Sequence, residues 1–455
     1  MFISLTNGAL NSASLSKIWG KNKKIIHIFG IRRDAMKHYL RKIFFIIPTV
    51  LLSFSLSIAQ EFRTITGKVV DSNSGYPLPY ASVSISNSSY TNVANSEGEF
   101  SLKFPLEQIN DSVIVSYLGY RNLFIPISDL IVNKNNKVML SPTTIDIRSI
   151  TVRPNDALTI FTSAFSSKSI KHNYLTTPVG MSGFYREIIK RGNKYLSLNE
   201  AVVDIHKQSY LSSLSDNISI YKGRGNTNRA VSDTLFLQLQ GGPVSTLQLD
   251  IVKDPFIAVD LFSAPQYYEF KMGPMFFMDN LNIYTIDFDQ VADVSDILFR
   301  GRIYIESQTL AIMRIEFEMN VQGRNDSWKA FVRKKPDDMQ IGVDWAKYQI
   351  NYRQHNEKWY VDYARIDLRF TAKYKGKLLK NKYDITTELA ITDIDNKSAL
   401  NIESNQRFKM KDILQNKVND FRDDNFWENY NIIEPDQKIE NIINRIIRQL
   451  KKERN

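Results

Sequence analysis

The chain has 455 residues, of which 43% are hydrophobic and 24% charged, a composition that excludes a disordered or fibrous protein. Its length predicts two or three domains, each large enough for a buried core. It contains no cysteine, which excludes disulfides, thiol catalysis, cysteine-based metal sites and a lipid anchor attached through cysteine. The net charge of +11 raises the question of nucleic-acid binding, which depends on where the charge lies.

A basic, then apolar, then small-residue segment occupies residues 36–59. Three basic residues precede an apolar run from Ile43 to Leu56, and the exit Ser57-Ile58-Ala59 follows. This order predicts a secretory signal peptide that is cleaved between Ala59 and Gln60. The alternative is a membrane-spanning anchor, for which the run is shorter than the ~20 apolar residues required.

Residues 1–35 precede this signal, so we interpret Met36 as the start and the earlier residues as an over-extended N-terminus. Residues 1–59 contain nine Lys and Arg residues and one acid, Asp34, a net charge of +8. The mature chain therefore carries only +3 of the total +11, which removes the case for nucleic-acid binding. Export predicts a periplasmic or outer-membrane-associated protein.

The pattern of residues 62–140 predicts short strands separated by turns. Ala81–Ser86 and Ser112–Tyr117 alternate apolar and polar residues, and Gly98 supplies a tight turn before another strand. Strands at this spacing predict a β-sandwich and not a βαβ unit.

The same region resembles the carboxypeptidase-regulatory-like domain, a transthyretin-like sandwich. The resemblance is carried by Ile65-x-Gly67-x-Val69-x-Asp71, Pro77-Leu78-x-x-Ala81-x-Val83, Asn95-x-Glu97-Gly98-x-Phe100 and Val115-Ser116-Tyr117-x-Gly119-Tyr120. The sequence departs from the family at Asn92–Asn95, where Asn still suits a turn.

Two usual neighbours of this domain are not predicted here. A zinc carboxypeptidase requires a His-x-x-Glu pair and a later histidine, and the contexts of His172, His206 and His355 do not fit. A TonB-dependent transmembrane barrel of about 22 strands would fill or exceed the chain, and no aromatic girdle recurs. We therefore expect no transmembrane barrel in this chain.

A linker, residues 141–154, leads to a second domain over residues 155–405. Ala157, Ile160, Phe161, Ala164 and Phe165 have helical spacing, so a helix opens this domain. Long alternating strands follow, and their pattern predicts an antiparallel, curved sheet with one buried face and peripheral helices.

This second domain resembles two kinds of envelope protein. Gly183–Glu187, Glu200–Val203 and Gly241–Pro243 are similar to a type in which a domain of unassigned activity follows a regulatory-like sandwich. The hairpin from Gly301 to Ile315 is similar to the half-barrel of lipoprotein carriers. That likeness implies an apolar ligand groove, with Met313, Ile315 and Phe317 as its face.

The C-terminal segment, residues 406–455, contains an amphipathic helix that begins near Asp436. An isoleucine-rich stripe runs from Ile439 to Leu450 with basic residues beside it. The helix would cap the sheet, dock on a partner or lie on an anionic membrane surface.

Candidate catalytic residues are few. Asp250 and Asp254 are four positions apart and would suit acid–base work, although Asp254 before Pro255 is typical of a turn. Glu187 and Glu200 form a second possible couple, which no sequence feature places together. We find no phosphate loop, nucleophile elbow or zinc motif, and predict no catalytic, cofactor or metal site.

The sequence therefore predicts a mainly β, exported, non-catalytic protein with a seven-stranded transthyretin-like sandwich and a second β domain. It would act as an interaction or scaffold module whose partner is an envelope protein or a glycan. The alternative function is that of a carrier of a lipid or other apolar ligand, and the third interpretation of the sequence is an enzyme.

Overall fold

The computed structural model of this protein describes residues 61–131, 135–143, 156–192, 194–227, 241–255, 263–278, 281–321, 327–331, 337–376, 380–418 and 426–454. From Phe62 onward these residues belong to one compact unit, Phe62–Asn455. The predicted signal peptide, the cleavage site between Ala59 and Gln60 and most of the linker lie outside the described residues.

Seven strands form the N-terminal sandwich, as predicted: β1 Phe62–Asp71, β2 Ser82–Ile85, β3 Thr91–Val93, β4 Glu99–Pro105, β5 Ser112–Ser116, β6 Leu123–Pro126 and β7 Asn135–Leu140. One sheet has the order β4-β1-β7 and the other β3-β2-β5-β6. Val69, Val83, Phe100 and Val115 lie in the core between them. The predicted turn before β4 depends on Gly98, which has a φ of +75° and whose added Cβ would lie 2.5 Å from the Val69 carbonyl oxygen.

The second domain is one antiparallel sheet of eleven strands: β8 Val179–Arg191, β9 Lys194–Lys207, β10 Asn217–Thr227, β11 Tyr268–Met272, β12 Phe276–Met278, β13 Leu281–Gln290, β14 Phe299–Glu306, β15 Ile312–Met319, β16 Met339–His355, β17 Lys358–Tyr374 and β18 Asn381–Asp393. Their order is β10-β9-β8-β18-β17-β16-β15-β14-β13-β11, with β12 also paired to β13. Strand β18 therefore lies between β8 and β17. The mainly β fold class is confirmed.

One face of this sheet is apolar and buried under helices α1 Asp156–Ala164, α2 Ser167–Asn173, α3 Gly242–Leu247 and α4 Ala264–Tyr267. Phe161 of α1 and Phe165, which directly follows the helix, are both buried in the core, and Phe161 lies 4.4 Å from the ring of Phe270 on β11. Burying each phenylalanine stabilises the fold by about 1.5–3 kcal/mol.

The last helix, α5 Gln437–Arg454, covers another part of the sheet. Asp436 caps it by accepting a hydrogen bond from the Ile439 backbone amide at 2.9 Å. Ile439 and Ile446 are buried against Ile188 and Tyr195, so the amphipathic stripe packs on β8 and β9. No helix in the described part of the chain is both long and apolar enough to cross a membrane.

Candidate functional site

The face of the large sheet opposite helices α1–α4 carries a row of eight charged side chains and one glutamine across nine strands, which we call the charge ladder. Helix α5 packs on this same face, at β8 and β9. Residues that pair directly on neighbouring strands point to the same face, where opposite charges attract. The row consists, in sheet order from β13 to β10, of Asp287, Arg302, Glu316, Gln349, Arg365, Glu388, Arg186, Glu200 and Arg224. The charges alternate in sign, with Gln349 as the one neutral step in this row.

The end of the ladder near β10 is buried. Arg186 is 1% exposed, and its guanidinium donates to Glu200 at 2.8 Å and to Glu388 at 3.1 Å. Arg224 donates to the second Glu200 oxygen at 2.9 Å. Burial acts to raise the pKa of Glu200, but the two arginines outweigh burial and hold that pKa below its ordinary value. This end of the ladder is a structural ion-pair network.

A segment before α5 covers the buried ladder. The Ile433 carbonyl accepts a hydrogen bond from Arg186 at 2.7 Å, and Arg224 lies 5.0 Å from the Trp427 ring. Trp427 also meets Phe184 edge to face at 5.5 Å. The covering segment therefore gives Arg186 a hydrogen-bond acceptor and Arg224 an aromatic partner, whereas the sheet alone would leave both guanidinium groups facing solvent.

The same segment holds the sandwich. The Asn92 amide donates to the Ile432 carbonyl at 2.7 Å, Asn431 exchanges two hydrogen bonds with the Lys103 backbone, and Ser96 donates to Asp436 at 2.7 Å. Residues 431–436 thus act as a clamp between the sandwich and the sheet. Asn92, where the sequence departs from the regulatory-like pattern, is one of the clamped residues.

The other end of the ladder is open to solvent and lies on the floor of a cleft of about 740 Å³. Arg302 pairs with Asp287 at 2.5 Å, and Arg300 pairs with Glu318 in the next row. Arg365 pairs with Asp367 at 2.6 Å. These side chains are partly exposed, so each pair contributes at most about 1 kcal/mol to stability. The cleft offers both signs of charge to an incoming molecule.

The sandwich supplies a wall of this cleft through Tyr80. The Tyr80 ring stacks on Tyr363 of β17, with centroids 5.3 Å apart and an angle of 18° between the planes. Arg365 lies 4.9 Å from the centre of the Tyr80 ring, within the range of a cation–π contact. The cleft is therefore built from both domains.

The predicted apolar ligand face is divided by a β-bulge. Ile315 is fully buried, and Phe317 is 4% exposed and stacks on Tyr348 at 4.7 Å; both belong to the main core, and Phe317 also lines the charge-ladder cleft. Ile305 pairs with Ile312 and Tyr304 with Arg314, so Met313 is the extra residue. Met313 lines a different cavity, between the sandwich and the sheet. Whether any of the three residues contacts a ligand stays a prediction.

Glu187 and Glu200, one of the two candidate acid–base couples, are separated in the structure. Arg186 pairs directly with Glu200, so the neighbouring Glu187 points to the opposite face of the sheet, where Asn199 donates to it at 3.1 Å. Burial raises the pKa of Glu187. The two glutamates therefore do not form an acid–base couple.

Asp250 belongs to a buried ion pair. Lys207 donates to it at 2.8 Å and to Asp216 at 2.7 Å, and the Tyr352 hydroxyl donates to Asp250 at 2.8 Å. Asp254 lies in the following turn, and burial raises its pKa. Across the described ranges, no group of three histidine, aspartate or glutamate side chains is placed to hold a metal ion.

Comparison with known families identifies the N-terminal domain. Residues 65–152 match the family described as CarboxypepD_reg-like domain, which confirms the resemblance found in the sequence. The chain thus contains a CarboxypepD_reg-like domain, followed by a domain of unassigned function.

Other comparisons give weaker likenesses. No curated protein sequence matches the chain. A LolA superfamily protein from Nitrosomonas europaea has 8% identity and a TM-score of 0.22, over 52% of this chain and 96% of that protein. A DUF1329 family protein from Desulfovibrio piger has 9% identity and a TM-score of 0.21, over 53% and 95%.

Proposed function

We propose that this protein is an exported, non-catalytic envelope protein that acts as an interaction scaffold. In this proposal the clamp holds the CarboxypepD_reg-like domain on the large sheet, and the open half of the charge ladder binds an extended, polar segment of a partner protein. The observation that carries the proposal is the composite cleft: Tyr80 of the sandwich and Arg365 of the sheet form one wall together.

The pairing of charges in the cleft supports a polar partner. Its floor presents carboxylates and guanidinium groups in alternation, which suits a segment with both signs of charge or with free backbone donors and acceptors. A ligand of one strong charge would meet repulsion from half of these groups. The partner would gain its specificity from matching the order of the charges.

Two observations favour this function over catalysis or carriage of an apolar ligand. Glu187 and Glu200 point to opposite faces of the sheet, and Asp250 is held in a buried ion pair with Lys207. Ile315 and Phe317 are buried in the protein's own core, so an apolar ligand on that face would have to displace packed side chains.

In-cell photo-crosslinking tests the proposal. A photoreactive residue at Lys347, which is exposed and lines the cleft, should capture one defined envelope protein. The same residue at Tyr76, 73% exposed on the sandwich, serves as the position control. Capture of the same proteins from both positions, or of none from Lys347, would contradict the proposal.

Charge reversal adds a matched control. Arg302→Glu places a third acid beside Asp287 and Glu316 and should reduce the capture at least about tenfold, since a like charge at a contact costs more than 1.4 kcal/mol. Arg369→Glu breaks an equally exposed pair, Arg369–Asp384, outside the cleft and should leave the capture unchanged. Equal effects of the two variants would indicate a general loss of stability.

A further inference from the structure

A second cavity, of about 370 Å³, lies between the sandwich and the large sheet. Its sandwich side is the outer face of β2, β5 and β6, where Ser82, Ser116 and Phe124 point away from the sandwich core. Its other side is formed by β12, β13, β15, β16 and β17. The volume falls within the range of small-molecule sites, about 300–1,000 Å³.

Two β-bulges direct side chains into this cavity. Met313 is the extra residue of β15, and Asp362 is the extra residue of β17, because Asn351 pairs with Tyr363 while Tyr352 pairs with Val361. Both bulge residues line the cavity. A bulge re-aims a side chain out of the regular alternation, and bulges are over-represented at sheet edges and next to active sites.

Asp362 is a buried carboxylate with only one oxygen bonded. It is 2% exposed, and its Oδ2 accepts a hydrogen bond from the Ser82 hydroxyl at 3.2 Å. Its Oδ1 has no hydrogen-bond partner among the described residues. Burial raises the pKa of Asp362 to about 6, against the opposing effects of Arg353 and Ser82. A buried acceptor of this kind is destabilising unless a ligand or water bonds to it.

Two arginines line the same cavity with unbonded donors. Arg353 Nη1 and Arg314 Nε are both buried nitrogens without a hydrogen-bond partner in the described part of the chain. The other arm of Arg314 is bound to Glu316, which fixes the guanidinium. The cavity therefore presents two donors and one acceptor that require partners.

The remaining walls are aromatic, apolar and amide side chains: Tyr117, Phe124, Trp359, Leu118, Met278, Asn351 and Gln354. Arg314 lies 5.9 Å from the Tyr117 ring. Flat apolar surfaces beside planar polar groups suit a ligand that has an apolar face and polar groups around its edge.

We propose that this cavity binds a neutral saccharide. Each sugar hydroxyl is one donor and two acceptors, so neighbouring hydroxyls can donate to Asp362 and accept from Arg314 and Arg353 at once. An ionised fatty acid offers only acceptors, and an ammonium group offers only donors. The C–H face of a sugar ring would pack on Trp359 or Tyr117.

The walls favour a saccharide over a peptide. The sandwich contributes side chains from the face of its sheet to the cavity, while a peptide that adds to a sheet needs the unpaired backbone of an edge strand. The two cavities share Tyr80 as a lining residue, but Asp362, Arg353 and Arg314 line only the cavity proposed here, so either proposal can fail without the other.

Titration calorimetry on the purified full mature chain tests the site, with glucose-, galactose- and N-acetylglucosamine-containing disaccharides as probes. At least one disaccharide should bind saturably with a Kd at or below about 1 mM, and Asp362→Asn should weaken binding about tenfold or more. Asp367→Asn, which changes a carboxylate of the other cleft, should have no effect.

Phe124→Ala provides a second variant that leaves the fold intact, because Phe124 is 62% exposed. It should weaken the disaccharide while the unfolding midpoint stays unchanged. Absence of binding by all three disaccharides overturns the proposal and indicates that the polar atoms are met by water. A mixture of Gly/Ser/Ala tripeptides provides a further test. The proposal is also overturned if the tripeptides bind and the disaccharides do not, and if Asp362→Asn weakens the tripeptide binding about tenfold; the cavity would then be assigned to a peptide.

Discussion

Tyr80 lies flat against Tyr363, with ring centroids 5.3 Å apart, although the two residues belong to different domains. Tyr80 is in the turn before β2 and has a φ of +62°, a backbone conformation that few side chains adopt. The stacked pair, the Arg365 contact and the clamp at residues 431–436 together join the sandwich to the large sheet.

Removing the Tyr80 ring should loosen this junction. We expect Tyr80→Ala to lower the free energy of unfolding by about 2–4 kcal/mol, because a partly buried aromatic ring and its stacking are lost. Tyr80→Phe should cost less than about 1 kcal/mol since the stacked ring remains. Urea unfolding measures both, with Tyr76→Ala as the exposed control. Equal effects at Tyr80 and Tyr76 would show that the stack contributes nothing.

The buried end of the charge ladder should depend on Arg186. Arg186→Met leaves Glu200 and Glu388 buried with one arginine each, and we expect the free energy of unfolding to fall by about 3–5 kcal/mol. Arg369→Met removes a similar pair from a partly exposed position and should cost less than about 1 kcal/mol. Denaturant midpoints of the two variants separate these cases, and a loss below 1 kcal/mol at Arg186 would contradict the burial argument.

Asp362 should make stability fall as the pH rises. Its carboxyl titrates at about 6 in the folded protein and at about 3.9 in the unfolded chain. Between these values the folded state keeps a proton that the unfolded state has lost, so the free energy of unfolding decreases with increasing pH. The decrease is about 2–3 kcal/mol and is complete above about pH 7.

Comparison with Asp362→Asn isolates this effect from the other titrating groups. The unfolding free energy of the wild type minus that of the variant should decrease between about pH 4 and pH 7. Unfolding in urea at a series of pH values gives this difference directly. A difference that is constant or that increases with pH would be evidence against the assignment.

Export should leave a mature chain that begins at Gln60. We expect the intact mass of protein from the envelope fraction to match residues 60–455, since the small-x-small exit at Ala59 fits signal peptidase. Ala59→Trp removes the small residue and should cause the precursor to accumulate. A wild-type mass that still includes residues 36–59 would indicate a retained anchor.

Much of the fold could be predicted because its signals are local. The alternation in Ala81–Ser86 and Ser112–Tyr117, the turn at Gly98 and the helical spacing around Phe161 each depend on a few neighbouring residues. The helix after Asp436 could be predicted for the same reason, since its capping residue and its isoleucine-rich stripe are adjacent in sequence.

The sites could not be predicted because they depend on register between distant strands. Arg186 meets Glu388 only because β18 lies between β8 and β17, an order that no local pattern gives. Single-residue bulges turn the side chains of Met313 and Asp362 out of the regular alternation between the two faces of the sheet. One extra residue changes the pattern of apolar and polar residues very little, so the sequence does not reveal the bulge.

A cysteine pair across the junction tests most directly whether the sandwich is fixed on the sheet. The chain has no cysteine, so an introduced pair can form only one disulfide within the chain. Tyr90 and Asp393 form a backbone bridge, and bridged residues have Cα atoms about 4.5–5.5 Å apart, within the range of a disulfide. Tyr90→Cys with Asp393→Cys should form a disulfide in envelope fractions under mild oxidation, seen as a mobility shift without reductant. Tyr76→Cys with Asp393→Cys should not. If the thiols of the Tyr90 and Asp393 positions stay free, the sandwich is not held on the sheet and the scaffold account fails.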